Sequence, residues 1–210
     1  MKDLLFDLDG TLIDSSECIY AVYTKLFTEL NMPDPPIEVK RTFIGPPVET
    51  VMKNYVPASE LKRVVARFRT LYEYVDLKKT NKVYDGVEEM LATLKKKGKR
   101  LFVASTKNEQ KAKAIIRLMN LENYFDGVYG SRDDIGRSSK LDVLNALAKE
   151  NDVDKTDCIL IGDTHFDAEG AQEFGIPCAI VTYGFGQPDK LEAYPVYQTF
   201  ATPQAVANAL

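Results

Sequence analysis

A mainly parallel α/β sheet interrupted by an all-helical segment is the fold class this sequence predicts. Three observations carry it. Five short apolar runs read as strands, helical apolar patterns separate the later four, and no comparable strand candidate occurs from about residue 14 to residue 84. Strands that are apolar on both faces and alternate with helices are the pattern of a sheet covered on both sides.

In chain order, the first run is 3–6, ending in the acidic stretch Phe6-Asp7-Leu8-Asp9-Gly10. A helix follows behind the possible caps Ser15 and Ser16, because Ile19, Val22, Tyr23, Leu26, Phe27 and Leu30 form a sustained i, i+3, i+4 apolar face. Further helical patterns cover 48–55 and 61–74, separated by the prolines of PDPP, GPP and VP, which break helices. The remaining strand candidates are 100–104, 127–129, 158–161 and 178–182. Between them lie helices marked by Ala112, Ile115, Ile116 and Met119, by Leu141, Leu144 and Ala148, and by 166–174. The predicted division is a core of residues 1–14 and 82–210 with a helical insertion at 15–81.

The composition restricts the function classes. With 210 residues, 45% hydrophobic and 28% charged, the chain can bury a real core and is neither disordered nor fibrous. A net charge of −4, with Lys and Arg dispersed apart from Lys95–Lys97, gives no footprint for nucleic acid. No stretch approaches the roughly 20 apolar residues of a membrane span, and acidic residues interrupt the N-terminus where a leader would be apolar. A cytoplasmic protein without a membrane partner is the expectation. Cys18, Cys158 and Cys178 have no C-x-x-C spacing and are expected as buried free thiols.

In open α/β sheets ligands bind beyond the carboxyl ends of the strands. Asp7, Ser105 and Asp163 end three of the predicted strands, and Lys140 follows another after a loop. Asp7 and Asp9, two residues apart, project to one side, and Gly10 lets the backbone turn behind them. Asp163 and Asp167 would join them. Like charges about 4 Å apart repel by roughly 4 kcal/mol at an effective dielectric near 20, so this edge calls for a cation. A hard divalent ion, Mg²⁺ before Ca²⁺, fits an oxygen donor set of this kind.

DLDGT at 7–11, the strand-end Ser105, Lys140 and GDTHFD at 162–167 occur in the order of the haloacid dehalogenase superfamily of phosphohydrolases. The sequence resembles that family over nearly the whole chain, most closely its phosphoglycolate-phosphatase-like members. The resemblance implies that the insertion is a helical cap, that Asp7 is the nucleophile forming an aspartyl phosphate, and that Asp9 is the acid/base. It further implies that Ser105 and backbone N–H groups near Leu8 and Thr106 hold phosphoryl oxygens while Lys140 offsets charge. Asp7, Asp163 and the Asp9 carbonyl would hold Mg²⁺, with Asp167 orienting the metal's shell. The third motif departs from the family's common Lys-Pro, since Leu141 follows Lys140, and Lys107 is a rival that is read instead at the opening of the next helix.

His165 is the single histidine, which excludes a Ser-His-Asp hydrolase or a multi-His zinc site, and it is read as an exposed loop residue. Gly184 and Gly186 are read as turn glycines, because the third glycine of a dinucleotide fingerprint is missing. The stretch Arg41 to Pro47 resembles the family's cap loop, so Arg41 and Gly45 are specificity candidates. Arg41 reads equally as a substrate contact or a surface residue. The insertion's Tyr and Phe residues are read as its core. The expected activity is a Mg²⁺-dependent phosphatase for a small phosphorylated metabolite: phosphoglycolate, pyrophosphate, a sugar phosphate or a nucleoside monophosphate. A phosphomutase and a non-enzymatic phosphoryl-accepting receiver or scaffold are the alternatives, and the oligomeric state stays open.

Overall fold

The structure, a computed structural model, describes residues 1–210. The chain runs β1 (Asp3–Phe6), β2 (Ile13–Asp14), α1 (Ser16–Glu29), α2 (Ile37–Arg41), α3 (Val48–Met52), α4 (Ala58–Glu73), α5 (Leu77–Thr80) and β3 (Lys82–Val83). It continues through α6 (Val87–Lys96), β4 (Arg100–Asn108), α7 (Glu109–Leu118), β5 (Gly127–Ser131), α8 (Lys140–Asn151) and β6 (Cys158–Gly162). The last elements are α9 (His165–Phe174), β7 (Cys178–Val181), α10 (Pro188–Leu191), β8 (Gln198–Phe200) and α11 (Pro203–Ala209).

Six strands form one parallel sheet in the order β5-β4-β1-β6-β7-β8. β1 sits between β4 and β6, with Leu5 opposite both Phe102 and Leu160. Its four residues are all buried, which is why Leu4, Leu5 and Phe6 read as an apolar run rather than an alternation; the buried Asp3 pairs with Arg100. One face packs Leu4, Phe6, Val103 and Ile159 against Leu91, Ile115 and Val206 of the helices. The other packs Leu5, Phe102 and Leu160 against Leu144, Leu147 and Ala171. Each such side chain contributes about 1.5–3 kcal/mol on burial.

The helices α1 to α5 lie between β1 and the rest of the sheet in sequence. They pack Tyr23, Leu26, Phe27, Phe43, Met52, Val64 and Tyr72 into a cluster of their own. Tyr23 and Phe43 lie with ring centroids 4.8 Å apart, so the insertion's aromatics are its core as the sequence implies. All three cysteines are buried and free. No helix is long and apolar enough to cross a membrane.

Several details differ from the sequence reading, which has neither α6 nor β8, and three of them bear on the start of the insertion and on β4. The interval between the first two sheet strands is not free of extended structure, because β2 and β3 pair antiparallel, Ile13 opposite Val83 and Asp14 opposite Lys82. Two-residue strands are too short to show an alternation. Neither predicted serine caps α1 by its side chain: the Ser15 hydroxyl is buried without a partner, and the Asp14 carboxylate accepts the Ser16 N–H at 2.9 Å. β4 outruns the predicted 100–104, since an irregularity between Ala104 and Asn108 lets it resume pairing at Ser131.

Candidate active site

Asp7 follows the last residue of β1, and its N–H donates to the Ile161 carbonyl at 2.8 Å, so the sheet itself fixes its position. The Leu8 carbonyl then accepts the N–H groups of Leu12 and Ile13 at 3.0 and 3.1 Å, turning the chain back on itself. Gly10 makes this turn at φ +84°, and a Cβ there would lie 2.1 Å from Asp163 Oδ2. Only glycine combines that backbone conformation with room for the neighbouring carboxylate.

Asp163 sits just beyond β6 and is fully buried. Its Oδ2 accepts the Phe185 N–H at 2.7 Å, and its Oδ1 the Thr11 hydroxyl at 3.4 Å. Asp167 lies in the first turn of α9, where its Oδ2 accepts the N–H groups of Thr164 at 3.0 Å and Asp163 at 3.2 Å. Lys140 opens α8 behind the Ser139 cap. From there its ammonium reaches Asp7 Oδ1 at 2.8 Å, Asp167 Oδ1 at 2.7 Å and the Ala104 carbonyl at 2.8 Å.

The electrostatics follow from this packing. Burial pushes the Asp7 carboxyl up to about 6, against the lowering effect of Lys140 and with Asp167 adding to the rise. Burial, then Asp167 and Asp7, push Asp163 well above the usual carboxylate range. Burial alone would lower the Lys140 ammonium, but Asp167 and Asp7 outweigh it and the net shift is upward.

One ligand oxygen from each of Asp7, Asp163 and Asp167 lies within 4.8 Å of the others, all three residues buried. Lys140 pairs with two of them, whereas Asp163 accepts only from neutral donors. The group therefore has more carboxylates than counter-charges and offers only oxygen donors, which fits a divalent cation such as Mg²⁺ or Ca²⁺. The Asp9 carboxylate stands apart from this group. Lys107 Nζ donates to its Oδ1 at 3.0 Å and Oδ2 at 2.9 Å.

Lys107 is the main correction at the site. It lies within β4 and not at the opening of a helix; α7 starts at Glu109, capped by the Asn108 side chain. The irregularity in β4 carries the strand past Ser105, which turns Lys107 towards Asp9. Lys107 and Lys140 are thus not rivals but serve different carboxylates. Ser105 is buried, its Oγ accepting the Lys107 N–H at 3.3 Å, and Thr106 Oγ1 donates to the Gly45 carbonyl at 3.5 Å.

His165 is also corrected. It is the first residue of α9, half-buried, with its ring 4.0 Å from that of Phe166. Burial, and then Lys190, lower its pKa. It lines a cavity of about 250 Å³ between the insertion and the core together with Phe43, Tyr55 and Phe166. Gly184 is more than a turn residue: a Cβ there would come within 2.4 Å of Asp163 Oδ2. Arg41, exposed at the end of α2, donates to the Gly184 carbonyl at 3.2 Å, so it bridges insertion and core. Gly45 has φ +103° and also faces the core, where a Cβ would lie 3.2 Å from Thr164 Cγ2. The sequence reading passed over the Phe185 N–H and Thr11 as partners of Asp163; the glycines flanking Phe185 were the available signal.

With this geometry in place, comparison with known proteins is decisive for the family. The haloacid dehalogenase-like hydrolase profile matches residues 4–181. The chain belongs to that family. It is 32% identical over 194 residues to a 5'-nucleotidase of Pseudomonas aeruginosa, covering 91% of this chain and 87% of that one. It is 30% identical to a phosphoglycolate phosphatase of Aquifex aeolicus, covering 88% and 86%. Tyrosine-protein kinase PtkA of Mycobacterium tuberculosis matches at 30% identity over 90% of this chain and 65% of its own length. A haloacid dehalogenase-like hydrolase from Streptococcus pneumoniae superposes with a TM-score of 0.93 at 29% identity, covering 100% and 98% of the two chains. Family and relatives together define a phosphoric monoester hydrolase.

Proposed function

We propose that this chain is a Mg²⁺-dependent phosphatase for a small phosphorylated metabolite, working through an aspartyl phosphate on Asp7. The observation that carries the reading is the buried Asp7–Lys140–Asp167 bridge beside Asp163 at the carboxyl edge of the sheet. Residues 1–14 and 82–210 act as the catalytic core and 15–81 as the cap.

A carboxylate oxygen of Asp7 attacks phosphorus while the bond from phosphorus to the leaving oxygen breaks, and Asp9 gives that oxygen its proton. Water then attacks the phosphoryl group on Asp7, giving its proton to Asp9, and inorganic phosphate leaves. Ser105 and the backbone N–H groups near Leu8 and Thr106 hold the phosphoryl oxygens. Lys140 offsets the negative charge that gathers on nucleophile and phosphate. Asp7, Asp163 and the Asp9 carbonyl would hold Mg²⁺, oriented by Asp167, and the ion would supply further charge neutralisation.

The names of the relatives direct the substrate search to phosphoglycolate and nucleoside monophosphates, with sugar phosphates and pyrophosphate beside them. Arg41 and Gly45 at the junction of cap and core are the candidate specificity residues. Purified protein with Mg²⁺ is expected to release phosphate from members of such a panel, and Asp7→Asn to abolish release. Turnover surviving in that variant would remove the mechanism. Isomerised sugar phosphate in place of free phosphate would turn the reading to a mutase.

A further inference from the structure

The carboxyl group of Asp9 is held from both sides of the junction between core and insertion. Lys107 Nζ binds both of its oxygens, at 3.0 and 2.9 Å, and the lysine side chain is itself only 9% exposed. On its other side the ammonium lies 5.1 Å from the centroid of the Tyr72 ring. Tyr72 comes from α4, in the insertion, and is buried. Two charged residues near the end of α4 tie that helix end to the core: Arg69, one turn before Tyr72, pairs with Asp133, and Glu73 pairs with Lys111.

We infer that Lys107 is the positioning residue of Asp9, and that the Tyr72 ring makes this positioning depend on the insertion being docked. This rests on the phosphatase reading above. Proton transfer needs the carboxyl within about 2.6–3.2 Å of the leaving or attacking oxygen, whereas an unrestrained aspartate samples several staggered rotamers. A two-point clamp removes that freedom. The clamp in turn needs Lys107 kept out of water, which the aromatic face of Tyr72 does while attracting the cation. Lifting α4 would wet the ammonium and release the carboxyl group. The acid/base residue is therefore fully assembled only in the closed form, when water is excluded.

The test compares two substrates on the full chain with Mg²⁺. p-Nitrophenyl phosphate has a leaving group that departs with little need of a proton. Phenyl phosphate has one with a pKa of about 10, as for tyrosine, and needs it. General acid catalysis contributes about 10²–10⁴-fold, so Lys107→Met is expected to lower kcat/KM at least about tenfold more for phenyl phosphate. Lys107→Arg should restore most of the balance, because a guanidinium can also grip both oxygens. Tyr72→Leu should shift the ratio in the same direction by a smaller factor. Equal losses on both substrates in Lys107→Met would overturn the clamp, and an unmoved ratio in Tyr72→Leu would overturn its dependence on the insertion. Should Lys107→Met fail to fold by circular dichroism, Lys107→Gln decides by the same ratio. A wild-type protein that releases phosphate neither from these two esters nor from the metabolite panel takes the phosphatase reading down and the inference with it; turnover of both esters with unmoved ratios sinks the inference alone.

Discussion

The sheet and the helical insertion bury their side chains by different means. Behind the strands the packing is mainly aliphatic, with Leu4, Leu5, Ile159, Leu160 and Ile161 all fully buried and locked in register by two parallel ladders. The insertion relies on Tyr23, Phe27, Phe43 and Tyr72, rings that pack at tilted and edge-on angles apart from the near-parallel pair Phe27 and Phe43. Their outward contacts with the core include the Arg69–Asp133 and Glu73–Lys111 pairs and the Arg41 bond to Gly184. The difference teaches how labour is divided. A rigid sheet edge can hold several like charges at fixed places, while the exposed ion pairs at the junction each add little to holding the insertion on the core.

The sharpest way to break this comparison is Asp7→Asn. It should reduce phosphate release by about 10⁴-fold or more, on the order of 5 kcal/mol in the barrier, while circular dichroism stays that of the wild type. Next comes Lys140→Met, which leaves Asp7 and Asp167 buried without their shared cation. Urea unfolding in EDTA should show a loss of about 3–5 kcal/mol, and a surface-like change below 1 kcal/mol would contradict the description of the edge. Leu160→Ala, at the centre of the aliphatic packing, should cost about 2–5 kcal/mol by the same measurement.

The acids also predict a pH response. Asp7 in the folded, metal-free chain is raised to about 6 from an ordinary 3.8, so the folded state binds more protons than the unfolded one between those values. Stability in EDTA should therefore fall as pH rises through that window, by on the order of 2 kcal/mol from this group. Asp7→Asn should flatten the slope, and Mg²⁺ at neutral pH should restore the lost stability; a slope unchanged in the variant would refute the assignment. The smallest effect belongs to the junction. Arg41→Ala removes one partly buried hydrogen bond, expected to be worth about 0.5–1.5 kcal/mol, and should change KM a few-fold with kcat nearly unaltered.

Much of the edge was legible from residues alone, because Leu4–Phe6 of β1 and Cys158–Ile161 of β6 are apolar runs that lead into Asp7 and Asp163. Asp167 was legible too, four residues on and within the first turn of a helix. Lys107 was visible as a second cation, but its strand position and its bond to Asp9 were not, since an irregular extension of β4 leaves no periodic trace and the neighbouring Asn108 cap marks a helix start. β2 and β3 escaped for lack of length, and β8 for lack of apolar residues: Gln198 and Thr199 are exposed. The partners of Asp163 are backbone or hydroxyl groups from distant segments, and the one trace they leave in the sequence is the pair of glycines flanking Phe185.

Phe185 belongs to both bodies at once. Its amide steadies Asp163 from the core, while its ring is buried among the aromatics of the insertion. An outward swing of the helices would strip hydrocarbon from that ring, at a cost of about 1.5–3 kcal/mol when fully wetted. One residue thus serves as both brace and hydrophobic anchor, so a substitution that loosens its ring also reaches the amide that steadies a carboxylate.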